Sequence, residues 1–233
     1  MRQESRVELL VPGIFDIIGP VMVGPSSSHT AGAVRLGLFA RRLHGAGPAR
    51  VEIGLHGSFA ATGDGHGTPL ALLAGVMGLA PDDGRIPQAK ELASQHGLSY
   101  AFSAVDLGEV HPNSVRIRLS SATGLPDERT EIYGSSTGGG EIQIWRIDDF
   151  RVDLHGEYPT LLMSYPDHPG AVAAVSSVLA QHGLNIAGMK VHRTARGGLA
   201  LMTIELDQEP DAATIQSLRG LEDITSVRYV PEL

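Results

Sequence analysis

The chain of 233 residues contains no cysteine. Without thiols it can form no disulfide, use no thiol nucleophile and hold no iron–sulfur cluster through its own residues. Lysine is also scarce, since Lys90 and Lys190 are the only two. Lys90 lies beside Glu91 in a charged helical stretch and Lys190 in an alternating strand pattern. Neither resembles a Schiff-base lysine, so we expect no pyridoxal chemistry on this chain.

Basic charge and long apolar runs are missing as well. The formal net charge is −8, which argues against a nucleic-acid partner, because such a partner needs a basic face. No apolar run approaches the ~20 residues that span a membrane, and the N-terminus lacks the charged-then-apolar pattern of a signal peptide. With 42% hydrophobic residues, the chain is expected to be a globular cytoplasmic protein that binds no membrane.

The pattern of the first region predicts a mixed α/β (α+β) fold. A short apolar segment, Ile14–Ile18, comes first. Helical and strand periodicities then alternate, with glycine and proline at the joints. Helices are predicted over 30–43, 70–79 and 89–96, and strands over 51–55, 98–105, 114–120, 129–133 and 141–147. Charges, Gly and Pro mark a boundary near 148–159, and we divide the chain there into domains 1–157 and 158–233.

The second region has a clearer pattern. Its predicted elements are a strand at Leu161–Tyr165, a helix starting at Pro169, a strand through Val191, a strand at Leu199–Leu206, a helix at Ala212–Leu218 and a strand at Ile224–Val230. The order βαββαβ within about 75 residues predicts a ferredoxin-like unit.

The segment Gly24–Thr30 is the first candidate site. It places Ser26, Ser27, Ser28, His29 and Thr30 directly before a helical pattern. Hydroxyls and free N–H groups at a helix start suit a small anion such as a carboxylate. The segment also fits a plain helix cap made by Ser27 or Ser28, but a cap needs only one hydroxyl and this segment has four.

The second candidate is the segment His56–Thr68, which follows a strand and precedes an apolar helix, where α/β sheets often bind ligands. His66 lies between two glycines, which lets its imidazole approach a ligand closely. Ser58 and Thr68 are further polar candidates. The competing interpretation is a glycine-rich connector in which Thr68 caps the next helix.

Three weaker features complete the survey. Asn113 follows His111 and Pro112, a sequence typical of a turn. Gly138–Gly140 fits a backbone nest for an oxyanion or a flexible turn. In the second region Asp167 and Asn185 fit either turn and cap chemistry or a small-molecule site in which the two side chains face each other.

Together these motifs resemble one family, the beta subunits of two-subunit, iron–sulfur-dependent L-serine dehydratases. The matching motifs are Phe15–Met22, Gly24–Gly32, Gly57–Phe59, Gly65–Thr68, His111–Asn113 and Gly138–Gly140. The second region is similar to ACT domains, which sense amino acids, through Asp167–Gly170 and Gly183–Ile186. The first region resembles the allosteric-substrate-binding fold of phosphoglycerate dehydrogenases.

The resemblance implies a lyase that is active only as a complex. An alpha subunit would hold a [4Fe–4S] cluster, and no metal would be ligated by this chain. An open iron position would activate the β-hydroxyl of L-serine while a base removes the α-proton, giving aminoacrylate and then pyruvate and ammonia. Ser26–Thr30, Ser58, His66, Thr68 and Asn113 would line the substrate pocket at the subunit interface, and His29 and His66 are both candidates for proton transfer.

The ACT-like region departs from the serine-sensing pattern His-x-Asn-x-Pro-Gly, because Tyr165 and Asp167 replace the histidine and the asparagine. A carboxylate at 167 favours an amino group and repels an α-carboxylate, which argues against serine as the effector. Another amino acid, a cation bound by oxygen ligands and a purely structural dimerisation role stay open. Self-association through this region is expected.

Two other functions fit the sequence. The chain could be a regulatory subunit that senses an amino acid through its ACT-like region without contributing catalytic residues. It could also be a scaffold that only stabilises an alpha subunit. The two polar, histidine-bearing segments at Ser26–Thr30 and His66–Thr68 favour the catalytic hypothesis, because a sensor or a scaffold does not need them.

Overall fold

A computed structural model of the protein describes residues 21–45, 47–123 and 129–233. The predicted apolar segment Ile14–Ile18 and most of the motif Phe15–Met22 lie outside these residues. Within them, no helix is both long and apolar enough to cross a membrane.

The first unit is a six-stranded sheet with helices on one face. Its strands, in the order β2-β1-β3-β4-β5-β6, pair antiparallel except for the parallel β1–β2 pair. They are β1 (Arg50–Leu55), β2 (Ser99–Ala104), β3 (Ser114–Ser120), β4 (Arg129–Gly138), β5 (Glu141–Ile147) and β6 (Phe150–Leu154). The helical elements are a π-helical turn (Ser27–Ala31), α1 (Gly32–His44), α2 (Ser58–Ala61), α3 (Gly63–His66), α4 (Thr68–Val76), a 3-10 turn (Ile86–Gln88) and α5 (Ala89–Gln95).

Helices α1 and α4 pack closely across each other, and α1 lies on strands β3, β4 and β5. Two glycines make the close approach possible. A Cβ atom at Gly37 would collide with the carbonyl oxygen of Leu72, and one at Gly75 would collide with that of Val34. The backbones of α1 and α4 therefore touch where side chains would otherwise separate them. This close packing fixes the first turn of α1 relative to the first turn of α4.

The second unit confirms the predicted βαββαβ order. Its sheet has the antiparallel order β10-β7-β9-β8. The elements are β7 (Thr160–Pro166), α6 (Ala171–Gln181), β8 (Ile186–Arg193), β9 (Leu199–Leu206), α7 (Ala212–Arg219) and β10 (Ser226–Val230). Helix α6 begins two residues after Pro169, because Gly170 has a left-handed φ of 101° and cannot belong to the helix.

The two units share a hydrophobic core. Leu162, Leu201 and Val230 of the second sheet are fully buried in the cluster formed by the first unit. Polar contacts flank this core. The Arg42 guanidinium, at the end of α1, donates to the Pro231 carbonyl at 3.2 Å, and Arg228 pairs with Asp148 at 3.1 Å. The second unit is thus packed against the first over one face of its sheet.

Strand β4 is longer than the sequence predicts. It continues through Gly134, Ser135 and Ser136 to Gly138, where the pattern predicts a strand ending at 133. Small residues have weak strand propensity, but packing explains them here. A Cβ at Gly134 would strike Leu36 and Ile144, and the hydroxyls of Ser135 and Ser114 lie 2.8 Å apart on neighbouring strands. Gly138–Gly140, all with positive φ, form the turn into β5.

Candidate functional site

His29 lies in the π-helical turn that leads into α1. Ser26, in extended backbone, caps this turn, and its Oγ accepts a hydrogen bond from the backbone N–H of His29 at 3.2 Å. The cap is therefore one or two residues earlier than the predicted Ser27 or Ser28. Because Ser26 serves as the cap, the Ser28 hydroxyl is left to contact the His29 imidazole.

The His29 imidazole is held between hydroxyl groups on both sides. Its Nδ1 lies 3.2 Å from Ser28 Oγ. Its Nε2 lies 3.1 Å from Ser58 Oγ and 3.4 Å from Thr62 Oγ1. The Phe59 ring, fully buried, meets the imidazole edge-on at 5.3 Å between centroids. This ring of contacts fixes the imidazole in one orientation.

His66 places a second imidazole beside the first. It ends helix α3, is exposed, and its ring centroid lies 5.1 Å from that of His29. Burial, and secondly the positive charge of a protonated His66, lower the pKa of His29 below its usual 6.5. His29 is therefore neutral at neutral pH and able to accept a proton.

Local backbone geometry brings these segments together. Gly57 adopts a φ of 55° directly beneath the Pro112 carbonyl, where a Cβ would collide, and the Ser58 N–H donates to that carbonyl at 2.8 Å. Gly67, with a φ of 71°, turns the chain from α3 into α4. The segment is not the glycine-rich connector of the competing interpretation, because it forms two single-turn helices, α2 and α3, that place Ser58 and His66 beside His29.

Thr68 has a different place from the one predicted. It is fully buried at the start of α4, and its Oγ1 donates to the backbone carbonyl of His29 at 3.1 Å. It does not cap α4, since no side-chain cap is made there. This hydroxyl holds the His29 turn against α4 and is not open to a substrate.

The other predicted residues are less central. Ser27 is half-buried in the same turn. Thr30 is buried against Gly24, and its hydroxyl has no hydrogen-bond partner in the part of the chain that the structure covers. Asn113 follows the Pro112 carbonyl that binds Ser58, and its own carbonyl accepts from the Ser136 N–H at 2.9 Å. The Asn113 side chain is not among the hydrogen-bond partners of His29 in the described structure.

Sequence reasoning missed Thr62 and Phe59 as site residues. Thr62 follows Ser58 by four residues, so a single helical turn places both hydroxyls on the same side, where they lie 3.2 Å apart. That spacing is visible in the sequence, but it is informative only once α2 is known to be helical. Phe59 carries no polar signal, and its contact with His29 depends on tertiary packing.

In the second unit the structure does not bring Asp167 and Asn185 together. Asp167 accepts hydrogen bonds from the Gly197 N–H at 3.0 Å and from Arg193 at 3.3 Å. The Gly197 bond is the main reason why the pKa of Asp167 is lowered. Asn185 instead donates to Asp207 at 2.6 Å. The two residues lie at opposite ends of β8, a distance of about 25 Å for eight extended residues.

The residues that the structure describes form no metal centre by themselves. Among residues 21–45, 47–123 and 129–233, no three His, Asp or Glu side chains are grouped so that they could hold a metal ion. The chain has no thiol to ligate iron. An iron–sulfur cluster must therefore be ligated by another polypeptide if one takes part in the reaction.

Comparisons with known proteins agree with the motifs. A family model described as serine dehydratase beta chain matches residues 13–101, and an ACT domain model matches residues 160–223. Two curated relatives are similar over nearly their whole length. A probable L-serine dehydratase beta chain of Bacillus subtilis is 42% identical over 94% of this chain and 98% of the relative. The L-serine dehydratase beta chain of Peptoniphilus asaccharolyticus is 40% identical over 93% and 96%.

A more distant relative belongs to a different enzyme. The D-3-phosphoglycerate dehydrogenase of Archaeoglobus fulgidus is 24% identical over 99% of this chain but only 42% of its own length. This chain is thus similar to a part of that dehydrogenase, whereas it matches the two beta chains over nearly the full length of both.

Proposed function

The chain belongs to the family of L-serine dehydratase beta chains, and from this premise we propose that it supplies one half of a composite active site that converts L-serine to pyruvate and ammonia. The other half would come from an alpha subunit that holds a [4Fe–4S] cluster. The observation that carries the proposal is the His29 imidazole, which is held by hydroxyls at both nitrogens beside a second imidazole at 5.1 Å.

Elimination of water from serine requires a base for the α-proton and a group that assists departure of the β-hydroxyl. His29 is our candidate for the base, because its lowered pKa keeps it neutral and its ring is held in place. His66, exposed at the edge of the site beside His29, is placed to contact the substrate carboxylate. Among the residues that the structure describes, no group near His29 could hold a metal that activates the leaving hydroxyl, and we assign that task to the alpha subunit.

The hydroxyls divide into two groups under this proposal. Ser26 and Thr68 are committed to the backbone of the His29 turn. Ser28 and Ser58 lie next to the imidazole nitrogens, and each keeps a lone pair that can accept a hydrogen bond from the ammonium of serine. The proposed substrate contacts are therefore fewer than the seven residues that, besides His29 and His66, were predicted from the sequence to line the pocket.

The test is pyruvate production from L-serine under anaerobic conditions, with the chain alone, with a cysteine-bearing alpha subunit reconstituted with iron and sulfide, and with both. We expect turnover only in the mixture. His29→Ala should then lower kcat by about 10²–10⁴-fold, the usual contribution of a general base, and Ser28→Ala and His66→Ala should also impair turnover. All three variants should still assemble with the alpha subunit.

His96→Ala is a matched control. The ring of this exposed histidine lies within hydrogen-bond distance of the Leu92 carbonyl at the end of α5, in a different helix from the His29 site, and the variant should leave the rate unchanged. Full activity in the Ser28, His29 and His66 variants would exclude our site. An inactive mixture with the subunits bound and the cluster intact would instead favour a regulatory subunit that acts through the ACT domain.

We further propose that two copies associate through the ACT domain, which we place at 158–233. Among the residues that the structure describes, the edge strand β8 pairs with β9 alone, which leaves one edge unpaired, and Val191 on that strand is 42% exposed. Antiparallel pairing of two β8 strands would bring Asn185 of the second copy to the end where Asp167 lies. An amino-acid effector could then bind across the two copies, with its ammonium at Asp167. Light scattering of the isolated chain measures the association, and a strictly monomeric mass excludes it.

A further inference from the structure

Thr62 has a hydroxyl whose proton is already committed. Its Oγ1 donates to the Ser58 backbone carbonyl at 3.0 Å, the usual bond of a threonine to the carbonyl four residues earlier. A hydroxyl has one proton and two lone pairs. Thr62 Oγ1 can therefore only accept from its two other neighbours, Ser58 Oγ at 3.2 Å and His29 Nε2 at 3.4 Å.

Because Thr62 Oγ1 can only accept, the hydrogen bonds that it shares with Ser58 decide which nitrogen of the His29 imidazole carries the proton. If Ser58 Oγ–H donates to Thr62 Oγ1, the lone pairs of Ser58 face His29 Nε2 at 3.1 Å and require a proton on that nitrogen. If Thr62 accepts directly from Nε2, the proton is again on Nε2. In the opposite tautomer a bare Nε2 would face the lone pairs of Thr62, and both Thr62 contacts would be lost. Thr62 thus favours the Nε2–H tautomer.

The hydroxyls of Ser28 and Ser26, on the Nδ1 side of the ring, are placed for hydrogen bonds that also require the Nε2–H tautomer. With Nε2 protonated, Nδ1 is bare and can accept from Ser28 Oγ–H at 3.2 Å. Ser28 Oγ can in turn accept from Ser26 Oγ–H at 3.4 Å, while Ser26 Oγ accepts from the His29 backbone N–H. One directed chain of hydrogen bonds from Ser26 to the Ser58 carbonyl then uses every contact around His29. In the Nδ1–H tautomer, with the hydrogen bonds reversed, the two contacts to Thr62 Oγ1, from Ser58 Oγ and from His29 Nε2, cannot form.

We propose that Thr62 is a positioning residue that holds His29 as the Nε2–H tautomer, so that Nδ1, on the Ser28 side, is the nitrogen that accepts the proton. The part of this inference that concerns the reaction rests on the proposed function. The part that concerns the tautomer is a property of the chain itself and can be measured without a partner subunit.

The first measurement is a long-range ¹H–¹⁵N correlation spectrum of the isolated, ¹⁵N-labelled full chain above the pH at which His29 titrates, with the His29 signals assigned from His29→Gln. We expect a protonated Nε2 and an unprotonated Nδ1 in the unchanged chain. Thr62→Val should shift the ring toward a mixture of tautomers, and Thr62→Ser, which keeps the hydroxyl, should restore the original pattern. An Nδ1–H tautomer in the unchanged chain, or no response to Thr62→Val, overturns the inference.

Thr225→Val is the matched control. Thr225 is also an exposed threonine whose Oγ1 donates to a carbonyl, that of Ser164 at 2.9 Å, but it lies in the second unit. The Thr225→Val variant should leave the His29 signals unchanged. If Thr225→Val shifts the His29 signals as much as Thr62→Val does, the loss of any threonine hydroxyl changes the tautomer, and the assignment to Thr62 is overturned.

The second measurement is kcat of the complex with the alpha subunit. Thr62→Val should lower kcat by no more than the ~10²–10⁴-fold that a general base contributes. Thr62→Ser should recover most of the lost activity. A changed tautomer with unchanged kcat overturns the positioning role. If His29→Ala keeps full activity, the proposed function fails at this site, whereas the spectrum of the isolated chain still decides whether Thr62 sets the tautomer.

Discussion

Two imidazoles with different surroundings lie side by side in the candidate site. His29 is held by hydroxyls and by Phe59, and the cost of burying its charge is the main cause of its lowered pKa. His66 adds a smaller effect, because its positive charge repels a proton on His29 when both rings would be charged. His66 therefore lowers the pKa of His29, our proposed base, and lies where we propose that the substrate binds.

Removal of the His66 charge should raise the pKa of His29. In His66→Gln we expect the His29 Hε1 proton, followed by NMR against pH, to titrate at a higher pH than in the unchanged chain, though still below 6.5 because burial remains. His111→Gln, at an exposed histidine outside the cluster, should leave the titration where it is. An unchanged His29 titration in His66→Gln would mean that the two rings are not electrostatically coupled.

The lowered pKa also has a consequence for stability. Below pH 6.5 the unfolded chain takes up a proton at His29 more readily than the folded chain does, so the free energy of unfolding falls as the pH falls through this range. Above 6.5 both states carry a neutral imidazole and His29 has no effect. His192, whose pKa is lowered mainly by burial, acts in the same direction.

At the scale of elements, the crossing of α1 and α4 holds the site together. The π-helical turn before α1 carries His29, and α4 begins at Thr68, whose hydroxyl binds the His29 carbonyl. The crossing depends on Gly37 and Gly75, where the backbone of one helix touches that of the other. The position of the catalytic candidates thus rests on contacts in the middle of two helices.

Gly75→Ala should destabilise the protein by about 1–3 kcal/mol, the usual cost of forcing an extra methyl group into a packed core. Its new Cβ would collide with the Val34 carbonyl, and backbone cannot move aside as a side chain can. Urea unfolding followed by circular dichroism measures the loss. Gly84→Ala is the control, because nothing lies within 4 Å of its Cβ, and it should change stability by less than about 0.5 kcal/mol. Equal stability of the two variants would contradict the close helix crossing.

At the scale of the whole molecule, the two units are joined by a common core rather than by a linker alone. Leu162 and Leu201 of the second sheet are buried in the cluster of the first unit, and Arg42 binds the carbonyl of Pro231 near the C-terminus. Helix α1 therefore contacts the second unit at its last turn, while its first turn follows His29.

Leu201→Ala should destabilise both units together, by about 2–5 kcal/mol as for other buried leucines. Trp145 is the only tryptophan and lies on β5 of the first unit, so its fluorescence reports on the first unit alone. We expect the midpoint of the unfolding transition measured by Trp145 fluorescence to shift, although the substitution lies in the second sheet. Val172→Ala, at an exposed position of α6, should shift the Trp145 midpoint little. A Trp145 transition unmoved by Leu201→Ala would show that the units unfold independently.

Local patterns alone determined much of this protein. The alternation over β1 and β9 and the helical spacing over α1 predicted these elements within a residue or two, because burial of one face leaves a regular period in the sequence. The missing cysteines excluded a cluster held by this chain. The motifs around His29 and His66 indicated the family, which the two beta-chain relatives confirm.

Tertiary structure decided which side chains meet. Thr62 and Phe59 join His29 across about thirty residues, Thr68 serves the backbone rather than the pocket, and Asp167 and Asn185 are separated by the length of β8. Strand β4 extends through Gly134 and Ser135 because neighbouring strands and α1 pack on them. Periodicity records the environment of each element on its own, whereas these contacts depend on how distant elements fit together, and no local pattern carries that information.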